Sequence, residues 1–121
     1  MATRILTVDD SAAMRRMLAC VLEAAGYGVL QAEDGAHGME MLSRHGADLI
    51  ITDINMPRLD GFGLIMRVRR ELGLRAVPIL VLTTEDADGK RQRGRRAGAN
   101  AWMLKPFEPV RLIHTLHRLG V

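Results

Sequence analysis

Apolar residues follow two rhythms along this chain. Short continuous runs, Ile5-Leu6-Thr7-Val8, Leu49-Ile50-Ile51-Thr52, Ile79-Leu80-Val81-Leu82 and Ala101-Trp102-Met103-Leu104, alternate with longer stretches in which apolar residues recur every three or four positions. A continuous run of four or five residues suits a parallel strand covered on both faces, and the three-four spacing is that of an amphipathic helix. Met14, Met17, Leu18, Val21, Leu22 and Ala25 mark a helix from Ser11 to Ala25, with Ser11 as N-cap and Gly26 as a left-handed terminator. Val29 to Ala32 reads as a second strand, followed by a helix from Gly35 to Arg44 with Ala36, Met39 and Leu42 inward. Leu64, Ile65, Val68 and Leu72 mark a third helix, and Pro78 introduces the strand Ile79 to Thr83. The segment Glu85 to Ala97 is read as helix although Gly89 and Gly94 each cost about 1 kcal/mol in a helix interior. Pro109 opens a last helix carrying Leu112, Ile113, Leu116 and Leu119. Five βα units in this order predict an α/β fold, a doubly wound five-stranded parallel sheet with helices on both faces and right-handed crossovers.

The residues that end the apolar runs carry the chemistry. Asp53 closes the third strand and opens a loop holding Asn55, Pro57 and Gly61. Asp9 and Asp10 follow the first strand, Thr83 the fourth and Lys105 the fifth, so all of them collect at the carboxyl edge where open α/β sheets hold ligands. Three converging carboxylates would repel by up to ~4 kcal/mol per adjacent pair at an effective dielectric near 20, so a cation must sit among them. Oxygen donors without histidine or cysteine suit a hard ion, and a small solvated site that also receives a phosphoryl group favours Mg2+ over Ca2+. Lys105 and the Thr83 hydroxyl suit the equatorial oxygens of a transferring phosphoryl group, and an aspartate can itself accept the phosphate. Taken singly, Asp9 or Asp10 could be a helix cap and Lys105 an exposed strand-end charge; five such residues at four strand ends are not explained that way. A cis Lys105-Pro106 bond, costing only about 0.5–1 kcal/mol, is expected to aim the lysine.

Composition narrows the setting. With 121 residues, 48% hydrophobic and 26% charged, the chain is expected to form one globular domain, residues 1–121. Its apolar runs fall far short of the ~20 residues of a membrane span, and no secretory segment is seen, so a cytoplasmic location is expected. The single cysteine, Cys20, lies beside the first helix's apolar stripe and is read as a small packing residue. Much of the net charge of +3 comes from Lys90-Arg91-Gln92-Arg93-Gly94-Arg95-Arg96. With no aromatic residue interleaved to stack on bases, this reads as a solvated helix face rather than a nucleic-acid site. His114 and His117 lie one turn apart without a third ligand and are read as surface residues.

Val8-Asp9-Asp10-Ser11, Thr52-Asp53-Ile54-Asn55-Met56-Pro57 with Asp60-Gly61, Leu82-Thr83-Thr84 and Leu104-Lys105-Pro106-Phe107 resemble, in order and spacing, the receiver domain of two-component response regulators. Met14-Arg15-Arg16, Asn55, Thr83-Thr84-Glu85 and Ala97-Gly98-Ala99 before Trp102 make the chain most similar to the single-domain, CheY-like chemotaxis type. The resemblance implies a flavodoxin-like sheet in the order 2-1-3-4-5. It implies that Asp53 accepts a phosphoryl group from a sensor histidine kinase, with Mg2+ held by Asp10, Asp53 and the Asn55 carbonyl, and by Asp9 through water. Lys105 and Thr83 would contact the phosphoryl oxygens, and Trp102 stands at a switch position usually held by tyrosine or another aromatic. Such a protein is no enzyme in its own right. It is expected to be a monomer that binds a downstream protein such as a flagellar motor switch component, is dephosphorylated by a phosphatase, and binds neither nucleic acid nor membrane. The output face would border Lys90, Arg91 and Arg95. Alternatives are a phosphate sink or relay, a haloacid dehalogenase-type phosphatase, disfavoured because Asn55 replaces that class's second aspartate, and a basic nucleic-acid binder.

Overall fold

The computed structural model describes residues 3–121. Strands β1 (Arg4–Val8), β2 (Gly28–Ala32), β3 (Leu49–Thr52), β4 (Ile79–Thr83) and β5 (Ala101–Leu104) alternate with helices α1 (Ala12–Ala24), α2 (Gly35–His45), α3 (Gly61–Arg70), α4 (Asp88–Ala97) and α5 (Pro109–Arg118). All neighbouring strands are parallel, in the order β2-β1-β3-β4-β5. The sheet therefore starts at β1, grows to one edge through β2 and to the other through β3, β4 and β5.

The apolar strands divide their side chains by the period of two that a pleat imposes. Ile5, Leu49, Ile51, Leu80 and Leu82 pack with Leu18 and Leu22 of α1 and Leu112 and Leu116 of α5. Leu6, Val8, Ile50, Ile79 and Val81 pack on the other face with Leu42 of α2 and Phe62, Leu64, Ile65 and Val68 of α3. Each fully buried aliphatic contributes roughly 1.5–3 kcal/mol, so two such cores explain why the central strands need no polar alternation. β5, at the edge, is only half-buried throughout. Four helices start on a side-chain cap, Ser11, Asp34, Asp60 and Glu108; α4 starts at Ala87 with none.

Several expectations are corrected at the residue level. Helix α1 buries a narrower stripe than its apolar positions suggest: Met17 is 53% exposed, and Cys20 and Ala25 are exposed. Cys20 is thus a surface thiol and not a packing residue. In α2 Met39 and Leu42 pack on the core as expected, but Ala36 faces out and the other buried positions are Gly35 and Gly38, where a Cβ at Gly38 would already touch Val8. α4 begins at Asp88 and not at Glu85, since Glu85 and Asp86 are engaged as a loop. Leu72 and Leu119 lie just past the ends of α3 and α5 but still pack on the cores.

Candidate functional site

Parallel registry brings the strand ends together. Val8 pairs with Thr52 and Thr83 with Leu104, so the residues that follow, Asp9, Asp53, Thr84 and Lys105, leave the sheet at one level. The Asp53 N–H donates to the Val8 carbonyl at 2.9 Å, and the Lys105 N–H to the Thr83 carbonyl at 2.9 Å. Gly61 is required here, because a Cβ on it would overlap the Asp53 carbonyl oxygen.

One carboxylate oxygen from each of Asp9, Asp10 and Asp53 lies within 4.8 Å of the others. Asp9 is 2% and Asp53 8% exposed, while Asp10 faces solvent, so the cluster has a closed floor and an open mouth. The two buried carboxylates are oriented by backbone donors, Ser11 N–H to Asp9 Oδ1 at 2.9 Å and Ile54 N–H to Asp53 Oδ1 at 2.6 Å. Lys105 Nζ donates to Asp9 Oδ2 at 2.7 Å and to Asp53 Oδ2 at 2.8 Å. Burial alone would lower the lysine pKa; the hydrogen bonds it donates to Asp53 and Asp9, with their negative charge, outweigh it and hold the ammonium above its ordinary value. The Lys105-Pro106 bond is cis. Hard oxygen donors clustered around an ammonium, with one carboxylate open to water, fit an oxygen-loving divalent cation of low coordination by protein.

Thr83 is fully buried, and its Oγ1 accepts the Glu85 N–H at 3.3 Å. Glu85 gathers the rest of the mouth. Its Oε1 accepts from Asn55 Nδ2 at 2.9 Å and pairs with Lys90 Nζ at 3.1 Å, and its carbonyl accepts from Trp102 Nε1 at 2.9 Å. The Asn55 and Lys90 donors hold the Glu85 carboxyl below the usual carboxylate range. The Trp102 ring is half-buried over Gly94, where a Cβ would stand 2.8 Å from it, and beside Phe62. A family profile described as "Response regulator receiver domain" matches residues 5–117. The chain belongs to the response regulator receiver family.

This receiver is 37% identical over 108 residues to "Chemotaxis protein CheY1" of Helicobacter pylori, covering 88% of the chain and 87% of that protein. It is 33% identical over 114 residues to "Protein PilH" of Pseudomonas aeruginosa, covering 94% of each. It superposes on the chemotaxis protein CheY4 of Vibrio cholerae with a TM-score of 0.93 and 39% identity, over 98% of this chain and 99% of that one. It also matches longer proteins: it spans 44% of the "Probable transcriptional regulator ycf27" of Porphyridium aerugineum, at 37% identity.

All the residues singled out in the sequence, Asp9, Asp10, Asp53, Asn55, Thr83, Lys105, Trp102, Lys90, Arg91 and Arg95, lie at or beside this edge or on α4. Trp102, at the expected switch position, packs inward in this state, tied to Glu85. The receiver's basic stretch is partly engaged, with Lys90 on Glu85, Arg91 on Asp86 at 2.6 Å and Arg93 stacked 4.1 Å over the Phe62 ring. The role of Glu85 as the common partner of Asn55, Lys90 and Trp102 was not visible in the sequence, because it depends on three elements meeting. Arg15, noted in the sequence only as part of Met14-Arg15-Arg16, donates from its guanidinium to the Asp9 carbonyl six positions back.

Proposed function

We propose that Asp53 of this receiver accepts a phosphoryl group from a phosphohistidine of a sensor kinase, and that the modification switches binding to a downstream protein in chemotaxis-type signalling. The observation that supports this most is the Lys105 ammonium shared between Asp9 and Asp53 beside a solvent-open Asp10. In the transfer, an Asp53 carboxylate oxygen attacks phosphorus, the P–N bond of the donor breaks, and the imidazole leaves with the bonding pair and takes up a proton. Lys105 stands where it can hold a phosphoryl oxygen, and Thr83 is one strand away to donate its hydroxyl. Asp10 and Asp53 with the Asn55 carbonyl, and Asp9 through water, would hold Mg2+, which supplies charge neutralisation for the incoming phosphoryl oxygens.

The output face would be the groove of about 590 Å³ between α4 and α5, floored by β5 and lined by Arg91, Trp102, Phe107, Arg111, His114 and Arg118. Its charge suits an acidic, amphipathic partner segment. A flagellar motor switch component is the partner class proposed, and dephosphorylation by a separate phosphatase fits the same reading. Among the described residues no helix is long and apolar enough to cross a membrane. Incubation with acetyl phosphate and Mg2+ should add one phosphate by intact mass; uptake that persists in Asp53→Asn, or that ignores a chelator, would refute the assignment.

A further inference from the structure

The loop after Asp53 is held from a second side, by a pair outside the cluster just described. Arg58 has a φ of +66°, a left-handed value unusual for a residue without a short polar side chain. Across it the Leu59 N–H donates to the Pro57 carbonyl at 2.8 Å, which makes a three-residue turn of the rare, strained hand. Such a turn persists only where its surroundings over-determine it.

Here the surroundings belong to α2. Arg58 Nε and Nη2 donate to Asp34 Oδ2 at 2.7 and 2.6 Å. Asp34 is 3% exposed, and its other oxygen accepts the His37 N–H at 2.9 Å, so the carboxylate caps α2 and anchors Arg58 at once. The Gly35 N–H donates to the Leu59 carbonyl at 3.0 Å, and a Cβ on Gly35 would overlap that oxygen. On the far side the Gly61 N–H donates to the Ile54 carbonyl at 2.9 Å. Asn55, Met56 and Pro57 are thus strung between the site and a strained turn clamped to a different helix.

We infer that the Arg58–Asp34 pair is a clamp by which α2 sets the backbone position of Asn55 to Leu59, and through it the cation affinity of the Asp53 site. Arg58 touches neither phosphoryl group nor cation; it is a positioning residue. Without the pair nothing ties this side chain of the turn to α2, and the chain leading back to Asn55 is free to move with it. The inference rests on the phosphoacceptor reading for its effect on Mg2+, but not for its effect on the loop.

The test follows acetyl phosphate labelling by intact mass across a Mg2+ titration in wild type, Arg58→Gly and Asp34→Asn. It also reads Leu59 and Gly61 amide exchange by NMR without Mg2+. Glycine takes a positive φ without strain, so Arg58→Gly folds even though it removes the clamp. Half-saturating Mg2+ should rise on the order of tenfold in both variants, the usual size when a group that orients a ligand-bearing element is lost. The two amides should exchange faster by a similar factor while those of β3 keep their protection. A wild-type Mg2+ dependence in Arg58→Gly overturns the clamp's role in the site, and so does a loss of protection shared equally by β3. Wild-type protein that gains no phosphate in Mg2+ overturns the phosphoacceptor reading instead, and the exchange result alone then judges the clamp.

Discussion

The Lys105 ammonium is the only side-chain cation bonded to the Asp9 and Asp53 carboxylates among the described residues, and both carboxylates are buried. Removing it leaves like charges facing one another with no neutralising partner. In Lys105→Ala, unfolding free energy measured by urea at neutral pH with a chelator should fall by about 2 kcal/mol, below the 3–5 kcal/mol of a fully buried pair because Asp10 opens the site to water. Adding Mg2+ should recover most of the loss. The lysine pKa is raised in the fold, so its stabilisation is complete below 10.5 and is lost as pH climbs through the raised value. The gap between wild type and variant should therefore narrow only in strong alkali. Residues such as Lys105 were legible in the sequence because each ends a continuous apolar run, and a parallel sheet sends all such ends to one edge. The Asp34–Arg58 pair was not, since its partners lie 24 positions apart and meet only once the loop has turned back on α2. Cys20 and Met17 misled because a helix against a flat sheet buries a stripe narrower than its full run of apolar positions.

At the scale of elements α4 stands apart, as the one helix whose start has no side-chain cap and whose only buried residue is a glycine. Its two glycines give opposite expectations from the same substitution. At Gly89 nothing lies within 4 Å of an added Cβ, so Gly89→Ala should stabilise by about 0.5–1 kcal/mol through helix propensity. At Gly94 the Cβ would come 2.8 Å from the Trp102 ring and 3.8 Å from Phe62. Gly94→Ala should therefore lose stability despite the same propensity gain, and should shift Trp102 emission to the red as the ring is displaced toward water; equal gains at both sites in urea melts would show that the notch is not filled. Ala87 has the extended backbone of an N-cap but no hydroxyl, and Ala87→Ser should add about 0.5–1 kcal/mol by satisfying an orphan N–H. The periodicity that marks the other helices is nearly absent from α4 because packing here relies on missing side chains. Its start was accordingly placed three residues early.

Across the whole molecule the sheet edge and the α4–α5 face are joined through Glu85. Its N–H bonds Thr83, its carboxylate holds Asn55 and Lys90, and its carbonyl holds the Trp102 indole, so one residue touches the proposed acceptor loop, α4 and the ring on β5. A ligand shifts a two-state equilibrium only by the difference in its interaction with the two states. If the Thr83 hydroxyl turns to a phosphoryl oxygen on Asp53, the Glu85 N–H loses its acceptor, and the loop that carries the Trp102 partner is free to move. Beryllofluoride with Mg2+ should therefore change Trp102 emission, even though the ring begins inward and not in solvent. Thr83→Ala, which already lacks the bond to the Glu85 N–H, should give a smaller change, and Glu85→Ala should alter the resting spectrum little, because the contact it keeps is a backbone carbonyl. Emission that stays fixed while Asp53 is demonstrably modified would mean that the site does not reach the α4–α5 face through this residue, and the basic groove would lose its claim to be the switched surface.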